Sequence, residues 1–393
     1  MKKKIIFVTE ALWIGGIETA LINLLNQFDY DKYDVTLLIL QAKLNMVEHV
    51  NSKCHLLIAD REKAYSFETP YRYKRLYHLT EEATHPSTIH KILMNIVPAI
   101  KWIENRLYIS YIRKMMKDKY YDVAIIYSDV VAEISVRAIK ANKYIMFYHH
   151  GAMRHVYHDK VAYEKCDKII AVSENQTREL KEFSPKYVDK IDTIHNVIDI
   201  EGIRVKSLYP MEDNFDQSKF NIVSVGRIAY EKGMDIAVHA CAKLVEAGID
   251  NICWWIVGEG PRTDDLKKII VELHMENYVY LVGVKKNPYP YIRQADLYVQ
   301  TSRVESFGMT IKEALVLGKP IISTRTAGGQ ELIIDGINGS CCDVSSASVA
   351  EAIKFLYKNS KEVDRYCKFL KVIDFEEENK NSMLKLYDLL ERE

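Results

Sequence analysis

The sequence predicts an α/β protein with two domains, each a parallel sheet covered by helices. Short apolar runs alternate with helix-patterned segments along nearly all of the 393 residues. Because most of these runs are apolar on both faces, they suit strands buried between layers of helices. The chain is 48% hydrophobic, which is enough for two full cores. The pattern is typical of doubly wound, Rossmann-like domains.

The N-terminal half opens with a βαβ pattern. The strand KIIFV is followed by the glycine loop WIGGIE, a helix from about Glu18 to Phe28 and the strand DVTLLIL. Further strands are predicted at DVAIIY (122–127), KYIMFYH (143–149), KIIAVS (168–173) and IDTIHN (191–196).

The second half repeats the alternation more regularly. Strands are predicted at NIVSVG, ICWWIVG, VYLVG, DLYVQ and PIISTR. The polar stretch 206–219 interrupts the pattern and is the predicted linker. We therefore expect an N-terminal domain at 1–205, a C-terminal domain at 206–372, and an amphipathic helix at 373–393 that packs back toward the N-terminal domain and braces the two.

Composition argues against several classes of protein. Lysine plus arginine and aspartate plus glutamate balance at 54 each, so there is no overall electrostatic reason to bind nucleic acid. The seven cysteines are scattered without a CxxC spacing, which argues against a disulfide framework and fits a reducing cytoplasm. Only four apolar residues follow the basic start before Thr9, so no signal peptide is expected. No apolar run approaches the roughly 20 residues that span a bilayer.

The segment VSVGRIAYEKGMD predicts an anion site. A strand ends at Gly226, a loop carries Arg227 and Lys232, and a helix begins near Gly233. A guanidinium and an ammonium beside the free N–H groups of a helix start suit a diphosphate. The alternative is a solvated loop whose charges bind nothing.

Other nucleotide-binding motifs fit less well. In IVGEGPRTDD the dinucleotide fingerprint would need a glycine where Thr263 stands, which disfavours a dehydrogenase. The chain also lacks the GxxxxGK[ST] spacing of a P-loop.

The stretch ESFGMTIKE places Glu305 before a helix that begins near Phe307 and Gly308, with Glu313 inside it. At about 1.5 Å per residue the two carboxylates are on the order of 10 Å apart, too far to share a proton. Each is predicted to accept from hydroxyls of a different part of one ligand, whose phosphates the helix start would hold. The alternative for Glu313 is an ordinary helix surface residue.

This ordered set of motifs resembles the retaining GT-B glycosyltransferases of family four, especially those that build bacterial capsule or exopolysaccharide. The resemblance rests on GRIAYEKG, VGEGP, SRVESFGMTIKEALVLGKPII and TAGGQELI, with weaker similarity at GGIETALINLL, HHG, DKIIAVSEN and IHNVID. It implies a GT-B fold, in which two Rossmann-like domains face each other across a cleft.

The resemblance also implies roles for individual residues. Glu305 matches the residue that binds the donor sugar, and Glu313 the one that binds the ribose. Arg227 and Lys232 match the diphosphate-binding pair, and the amides of Phe307 and Gly308 the helix start. Gly16 matches a backbone position near the donor phosphates, and Val284 lies near the expected backbone contacts to the base.

The resemblance also matches His150 to a histidine near the donor sugar, although the adjacent His149 leaves the choice between the two open. The alternative is that His150 is a core histidine. His155 and His158 suggest a metal site, but no HExxH or carboxylate partner supports one. We expect no metal and no cofactor.

Residues 61–121 form a basic segment with 12 lysine plus arginine against 6 aspartate plus glutamate. Ten apolar residues from Ile89 to Tyr111 recur there at helical spacing, interrupted by Pro98. This apolar face is expected to cover the N-terminal sheet for the most part. The basic rim of Lys91, Lys101, Arg106 and Arg113 is the candidate for contact with an anionic membrane near a lipid-linked acceptor. The aromatic-rich part of the segment could instead line an acceptor groove.

Together these features predict a retaining glycosyltransferase that moves a sugar from a nucleotide sugar, UDP being favoured by the resemblance, to a hydroxyl of a saccharide or lipid-linked acceptor. We expect it in the cytoplasm, at the inner face of the membrane. Two alternatives remain at this point: a GT-B sugar-nucleotide epimerase, and a two-domain sugar or nucleotide receptor without turnover.

Overall fold

The structure is a computed structural model, and it describes residues 1–60, 103–151 and 160–392. Contacts divide the chain into two compact units. The first unit comprises the described residues of 1–148, 154–170 and 189–192, and the second those of 149–153, 171–188 and 193–393. The domain boundary near residue 205 stays a prediction.

The described part of the N-terminal half contains seven strands: β1 (Lys3–Thr9), β2 (Tyr33–Ile39), β3 (His55–Ile58), β4 (Tyr121–Ile126), β5 (Ala141–Tyr148), β6 (Lys168–Ala171) and β7 (Ile191–Thr193). They form one sheet in the order β3-β2-β1-β4-β5-β6-β7. β1 pairs in parallel with β2 and β4, β2 with β3, and β4 with β5. The six predicted strands are confirmed. β3 was missed because HLLI is short and largely exposed.

The described helices of this half are α1 (Gly16–Asn26), α2 (103–115), α3 (Ala132–Ala138), α4 (Lys160–Lys165), α5 (Glu174–Phe183) and α6 (Ile200–Lys206). The predicted first helix is confirmed, but it begins two residues earlier than expected. Its apolar face is buried through Ala20, Leu21, Leu24 and Leu25, which is why the sequence shows helical periodicity there.

The second half contains a six-stranded sheet. Its strands are β8 (Phe220–Val225), β9 (Ile252–Val257), β10 (Val279–Gly283), β11 (Leu297–Gln300), β12 (Ile321–Thr324) and β13 (Gly339–Cys342). The order is β10-β9-β8-β11-β12-β13, and the five neighbouring pairs are parallel. This is the doubly wound order of a Rossmann fold. The five predicted strands are confirmed, whereas β13 was missed because GSCC carries no apolar run.

The helices described with this sheet are α7 (Met234–Glu246), α8 (Thr263–Glu272), α9 (Tyr289–Gln294), α10 (Met309–Val316), α11 (Ala327–Leu332), α12 (Ser346–Lys358), α13 (Ser360–Leu370) and α14 (Phe375–Glu391). The core lies between them and the sheet. Trp254 at its centre is fully buried and donates its indole N–H to Ser224 Oγ at 3.0 Å.

Residues 207–219 contain no helix or strand, as expected of the predicted linker. They are nevertheless anchored. Phe215 is buried and its ring stacks on Trp255 with centroids 4.6 Å apart. The segment therefore packs on the second sheet along part of its length.

The amphipathic helix predicted at the C-terminal end is α14. It begins after Asp374, whose side chain accepts from the amides of the first turn. Asn379 exchanges two hydrogen bonds with the backbone of Ile198, at 2.7 and 3.2 Å. These contacts lie within the second unit, and the packing of α14 toward the N-terminal domain stays a prediction.

Most of the basic segment 61–121 lies outside the described residues, which resume at 103. Within α2, Tyr108 is buried and donates to the carbonyl oxygens of Leu40 at 2.6 Å and Ala59 at 2.5 Å. This residue of the apolar stripe therefore covers the ends of β2 and β3. Ile103 and Leu107 are exposed. Across the part of the chain that the structure describes, no helix is long and apolar enough to span a membrane.

Candidate functional site

Arg227 and Lys232 lie in the loop between β8 and α7, as the sequence predicts. Their side chains have different partners. The Arg227 guanidinium is 65% exposed and donates to the Glu231 carboxylate four residues later. The Lys232 ammonium is 24% exposed and lies 2.6 Å from Oε2 of Glu305. The loop therefore presents one solvated cation and one cation held by an internal carboxylate.

Glu305 lies in the loop between β11 and α10 and is 12% exposed. Besides Lys232, its Oε2 accepts from Ser302 Oγ at 3.3 Å and from Gln300 Nε2 at 3.5 Å. Among the described residues, Oε1 has no hydrogen-bond partner. The protein thus holds one oxygen of this carboxylate, while the other can accept from a ligand hydroxyl.

A buried chain of hydrogen bonds supports Glu305 from the end of β11. The Tyr298 hydroxyl donates to Gln300 Oε1 at 2.7 Å, and Gln300 Nε2 donates to Ser302 Oγ at 2.7 Å. Because buried polar groups need partners, this chain restricts the conformation of the loop. Sequence reasoning missed Gln300 and Ser302. A polar residue ending the apolar strand DLYVQ was the available signal.

Phe307 and Gly308 immediately precede α10. Gly308 has φ +85°, a left-handed conformation that allows the chain to turn into the helix. Phe307 is buried, with its ring centroid 5.8 Å from that of His195. Since the first N–H groups of a helix have no acceptor within it, this end of α10 can hold an anion.

Glu313 is buried inside α10, so the alternative of a helix surface residue is wrong. Its Oε1 accepts from the Tyr289 hydroxyl at 3.2 Å. Burial raises the pKa of Glu313 to about 7, which the Tyr289 hydrogen bond and the charge of Lys206 only partly oppose. Both the acid and the carboxylate are therefore populated near neutral pH.

Glu313 should make the protein less stable as the pH rises from 4.5 to about 7. Its pKa is higher in the folded state than its ordinary 4.5, so its contribution is complete below pH 4.5 and is lost as the pH rises through 7. A difference of this size corresponds to about 3 kcal/mol. Urea unfolding at pH 5 and pH 8 should show this loss in the wild type and not in Glu313→Gln. The same pH dependence in both proteins would contradict the expectation.

His149 and His150 follow β5 and differ in environment. Burial, and then the charge of His150, lower the pKa of His149 to about 3, so His149 is neutral at physiological pH. His150 is half-buried, and its carbonyl oxygen accepts from Gln176 Nε2 at 2.6 Å. A Cβ on the next residue, Gly151, would lie 2.6 Å from Val304 Cγ1 and 3.1 Å from the Ser306 amide nitrogen. The chain after His150 therefore passes directly against the loop of Glu305.

The two remaining predicted residues are backbone positions. Gly16 is the first residue of α1 in the first unit, where the Thr19 hydroxyl donates to the carbonyl oxygen of Gly15 at 2.8 Å. Val284 follows β10 in the second unit and is half exposed. The neighbouring Lys285 ammonium lies 2.7 Å from Glu212 and 3.0 Å from Asp213. These ion pairs attach the loop of Val284 to the segment 207–219.

Arg303 is a further cation near Glu305, but it is held by the protein. Its guanidinium donates to both carboxylate oxygens of Asp235 at 2.8 and 2.6 Å and stacks 4.4 Å from the Tyr230 ring centroid. Burial opposes ionisation of Asp235, but the hydrogen bonds and charge of Arg303 outweigh it and lower the pKa. The pair fixes the Glu305 loop to α7.

Sequence reasoning also missed His195 and Glu331, which lie beside Phe307. His195 Nε2 is 2.9 Å from Glu331 Oε1. Both residues occur within motifs noted in the sequence, IHNVID and TAGGQELI. Nothing in either motif pairs residues that are 136 positions apart.

No group of three or more histidine, cysteine, aspartate or glutamate side chains that could hold a metal ion occurs in 1–60, 103–151 or 160–392. His155 and His158 lie outside the described residues.

The loops around Lys232 and Glu305 lie in a region that matches a known family. Residues 207–369 match the sequence profile of the family described as Glycosyl transferases group 1. The match covers less than half of the chain. All the predicted site residues except Gly16 and His150 lie within this matched region.

Relatives extend the similarity. The N-acetylgalactosamine-N,N'-diacetylbacillosaminyl-diphospho-undecaprenol 4-alpha-N-acetylgalactosaminyltransferase of Campylobacter jejuni is 30% identical over 204 residues, which is 51% of this chain and 53% of the relative. The chain thus spans about half the length of the curated relatives it matches.

Solved structures show the fold. Anabaena Alr3699/HepE, in complex with UDP and glucose, gives a TM-score of 0.71 at 16% identity over 98% of this chain and 100% of that one. A mutant of S. aureus TarM, in complex with fondaparinux, alpha-GlcNAc-glycerol and UDP, gives 0.72 at 14% identity over 99% of both chains. The chain therefore has the GT-B fold, as predicted.

Proposed function

We propose that this protein is a retaining glycosyltransferase. It moves a sugar from a nucleotide sugar, with UDP as the nucleotide, to a hydroxyl of a saccharide or lipid-linked acceptor in the synthesis of a cell-surface polysaccharide. The observation that carries the proposal is the Lys232–Glu305 pair at 2.6 Å. It places a cation for the diphosphate beside a carboxylate oxygen that can accept from the donor sugar.

In this assignment the donor extends from Lys232 and Glu305 along the start of α10. Lys232 and Arg227 neutralise the diphosphate, and the amides of Phe307 and Gly308 donate to it. Glu305 Oε1 accepts from a sugar hydroxyl. Glu313 accepts from the ribose hydroxyls, a role that favours its ionised form.

Two further residues of the second unit belong to the proposed site, and the role of Gly16 in the first unit stays a prediction. The backbone near Val284 contacts the base. His150 lies near the donor sugar. The position of Gly151 against Val304 and Ser306 supports this role, because it places the chain next to the Glu305 loop.

The proposed reaction needs no protein nucleophile. The bond between the anomeric carbon and the diphosphate oxygen breaks, and the acceptor oxygen forms the new bond on the same face of the sugar. A phosphate oxygen takes the acceptor proton. The role of the protein is to stabilise the negative charge that grows on the leaving diphosphate.

The names of similar proteins support the proposed substrate classes. The names of the two solved structures include UDP, one with glucose and the other with a glycerol-linked GlcNAc. The name of the Campylobacter jejuni relative includes an undecaprenol diphosphate acceptor. A lipid-linked acceptor fits the proposed location at the inner membrane face, with the basic rim of segment 61–121 in contact with anionic lipid.

The proposal is tested with a panel of nucleotide sugars, scored for released nucleotide. We expect one UDP-sugar to be turned over. Glu313→Ala should lower its turnover by at least about tenfold, or about 1.4 kcal/mol of transition-state stabilisation. Glu351→Ala, which changes an exposed carboxylate paired with Lys354, is the control and should keep the wild-type rate.

The outcomes separate the alternatives. Tight binding of a nucleotide sugar without release of nucleotide, with or without acceptor, would favour a receptor. Conversion of the sugar without release of nucleotide would favour an epimerase. Wild-type turnover in Glu313→Ala would place the ribose contact elsewhere.

A further inference from the structure

Glu331 joins three segments of the second unit through a single carboxylate. Its side chain is 9% exposed and accepts four hydrogen bonds. Oε1 accepts from His195 Nε2 at 2.9 Å and from the Glu174 amide at 3.0 Å. Oε2 accepts from the Asn175 amide at 3.3 Å and from Asn175 Nδ2 at 3.2 Å. Burial would raise the pKa of Glu331, but these donors outweigh it and lower the pKa, so the carboxylate is ionised.

Glu331, His195 and residues 174–175 together form a junction. One side of this junction contacts the Glu305 loop through α11, the helix that carries Glu331. The Gly328 amide donates to the Glu305 carbonyl oxygen at 2.9 Å. A Cβ on Gly328 would lie 2.5 Å from the carbonyl carbon of Phe307, so the two backbones are in direct contact. Asn175 Nδ2 also donates to the Ala327 carbonyl oxygen at 3.2 Å, which holds the start of α11 in place.

The other side is the start of α5, where Glu331 binds the amides of residues 174 and 175. The residues on either side of these two amides, Ser173 and Gln176, bond to the segments that carry Glu305 and His150. Ser173 Oγ donates to the Ser306 carbonyl oxygen at 2.8 Å, and Gln176 Nε2 donates to the His150 carbonyl oxygen at 2.6 Å. The two segments that carry Glu305 and His150 are thus held by one helix end.

We infer that Glu331 is a positioning residue that sets His150 and Glu305 relative to each other. It does so by fixing the starts of α5 and α11, whose donors hold the backbone carbonyls of residues 150, 305 and 306. His195 is its side-chain partner in this role. The inference rests on the proposed function for the catalytic meaning of His150 and Glu305, but the structural coupling does not depend on it.

Backbone hydrogen–deuterium exchange tests the coupling without any activity. Glu331→Ala should speed exchange at least about tenfold in peptides covering residues 149–151 and 304–308, since local opening exposes their amides. Peptides from β9 should be unchanged. Glu331→Gln keeps one acceptor oxygen and should lie between the alanine variant and the wild type. Glu351→Ala is the matched control.

Kinetics test the consequence. With the UDP-sugar that the wild type turns over, Glu331→Ala should lower kcat at least about tenfold. Its Kd for UDP should change by less than kcat, because Glu313, the proposed ribose contact, is not part of the junction, although the Phe307 and Gly308 amides lie in the loosened loop. Glu331→Gln should recover part of kcat.

Two outcomes would overturn the inference. Unchanged exchange in residues 149–151 and 304–308 removes the coupling. Parallel losses of UDP affinity, kcat and thermal stability show that Glu331 supports only the fold. If the wild type turns over no nucleotide sugar, the proposed function fails, while the exchange experiment still decides whether Glu331 couples the two segments.

Discussion

Lys232→Ala is expected to reduce nucleotide release from the UDP-sugar by about a hundredfold to a thousandfold, the range seen when one preorganised donor is removed from a charge-stabilising site. The reason is twofold. The leaving diphosphate loses its inner cation, since Arg227 is solvated and paired with Glu231. Glu305, which is 12% exposed, also loses its charged partner and keeps only the neutral donors Ser302 and Gln300.

Two controls separate these effects. Lys267→Ala removes an exposed lysine that pairs with Asp264 on α8, and it should leave the rate unchanged. The double variant Lys232→Ala, Glu305→Gln should regain thermal stability relative to Lys232→Ala, because no uncompensated carboxylate remains, but it should stay inactive. A Lys232→Ala enzyme with wild-type kcat would show that the diphosphate does not bind beside Lys232.

Gly233→Ala is expected to destabilise the protein by about 4 kcal/mol or more, in the range of the largest single-residue effects. Gly233 precedes α7 with φ +62°, and an added Cβ would lie 2.1 Å from the carbonyl oxygen of Thr301. Thr301 is buried at the end of β11, so its backbone cannot move away without disturbing the sheet.

Gly248 offers a matched comparison. It also has a left-handed conformation, φ +77°, but among the described residues no atom beyond its chain neighbours lies within 4 Å of an added Cβ. Gly248→Ala should therefore cost only the left-handed backbone penalty of about 1–2 kcal/mol. Free energies of unfolding from urea titrations would test both. Equal losses in the two variants would mean that contact with Thr301 contributes nothing.

Most of the fold could be predicted because buried parallel strands appear in the sequence as short apolar runs. β8, β9 and β12 are of this kind, and each was found in place. β3 and β13 were not, because an edge strand of four residues has one neighbour and needs little apolar character. The division of the chain by contacts was also beyond sequence reasoning, since residues 149–153 and 171–188 join the second unit through tertiary packing alone.

In the candidate site, the sequence identified chemical groups but not how they pair. Lys232 and Glu305 were predicted as ligands for different parts of a donor, whereas the structure shows them bound to each other across 73 residues. The burial of Glu313 could not be predicted because it depends on Tyr289 of another helix.

The supporting residues were hardest to predict. Gln300 acts through side chains only a few positions away, so a local signal existed in the polar end of a strand. Glu331 collects donors from two distant segments, residues 174–175 and His195, and no local pattern marks such a residue. Residues that hold a site residue in place without touching the ligand can be identified only in the folded structure.

The two hydrogen bonds between Ile198 and Asn379 have a consequence for biosynthesis. The two residues are 181 positions apart, so the ribosome must extend the nascent chain by that length before the Ile198 backbone can meet its partner in α14. The second unit therefore cannot complete its packing cotranslationally until this helix has left the exit tunnel. Until then its packing is incomplete, and incompletely packed chains expose apolar surface that favours aggregation.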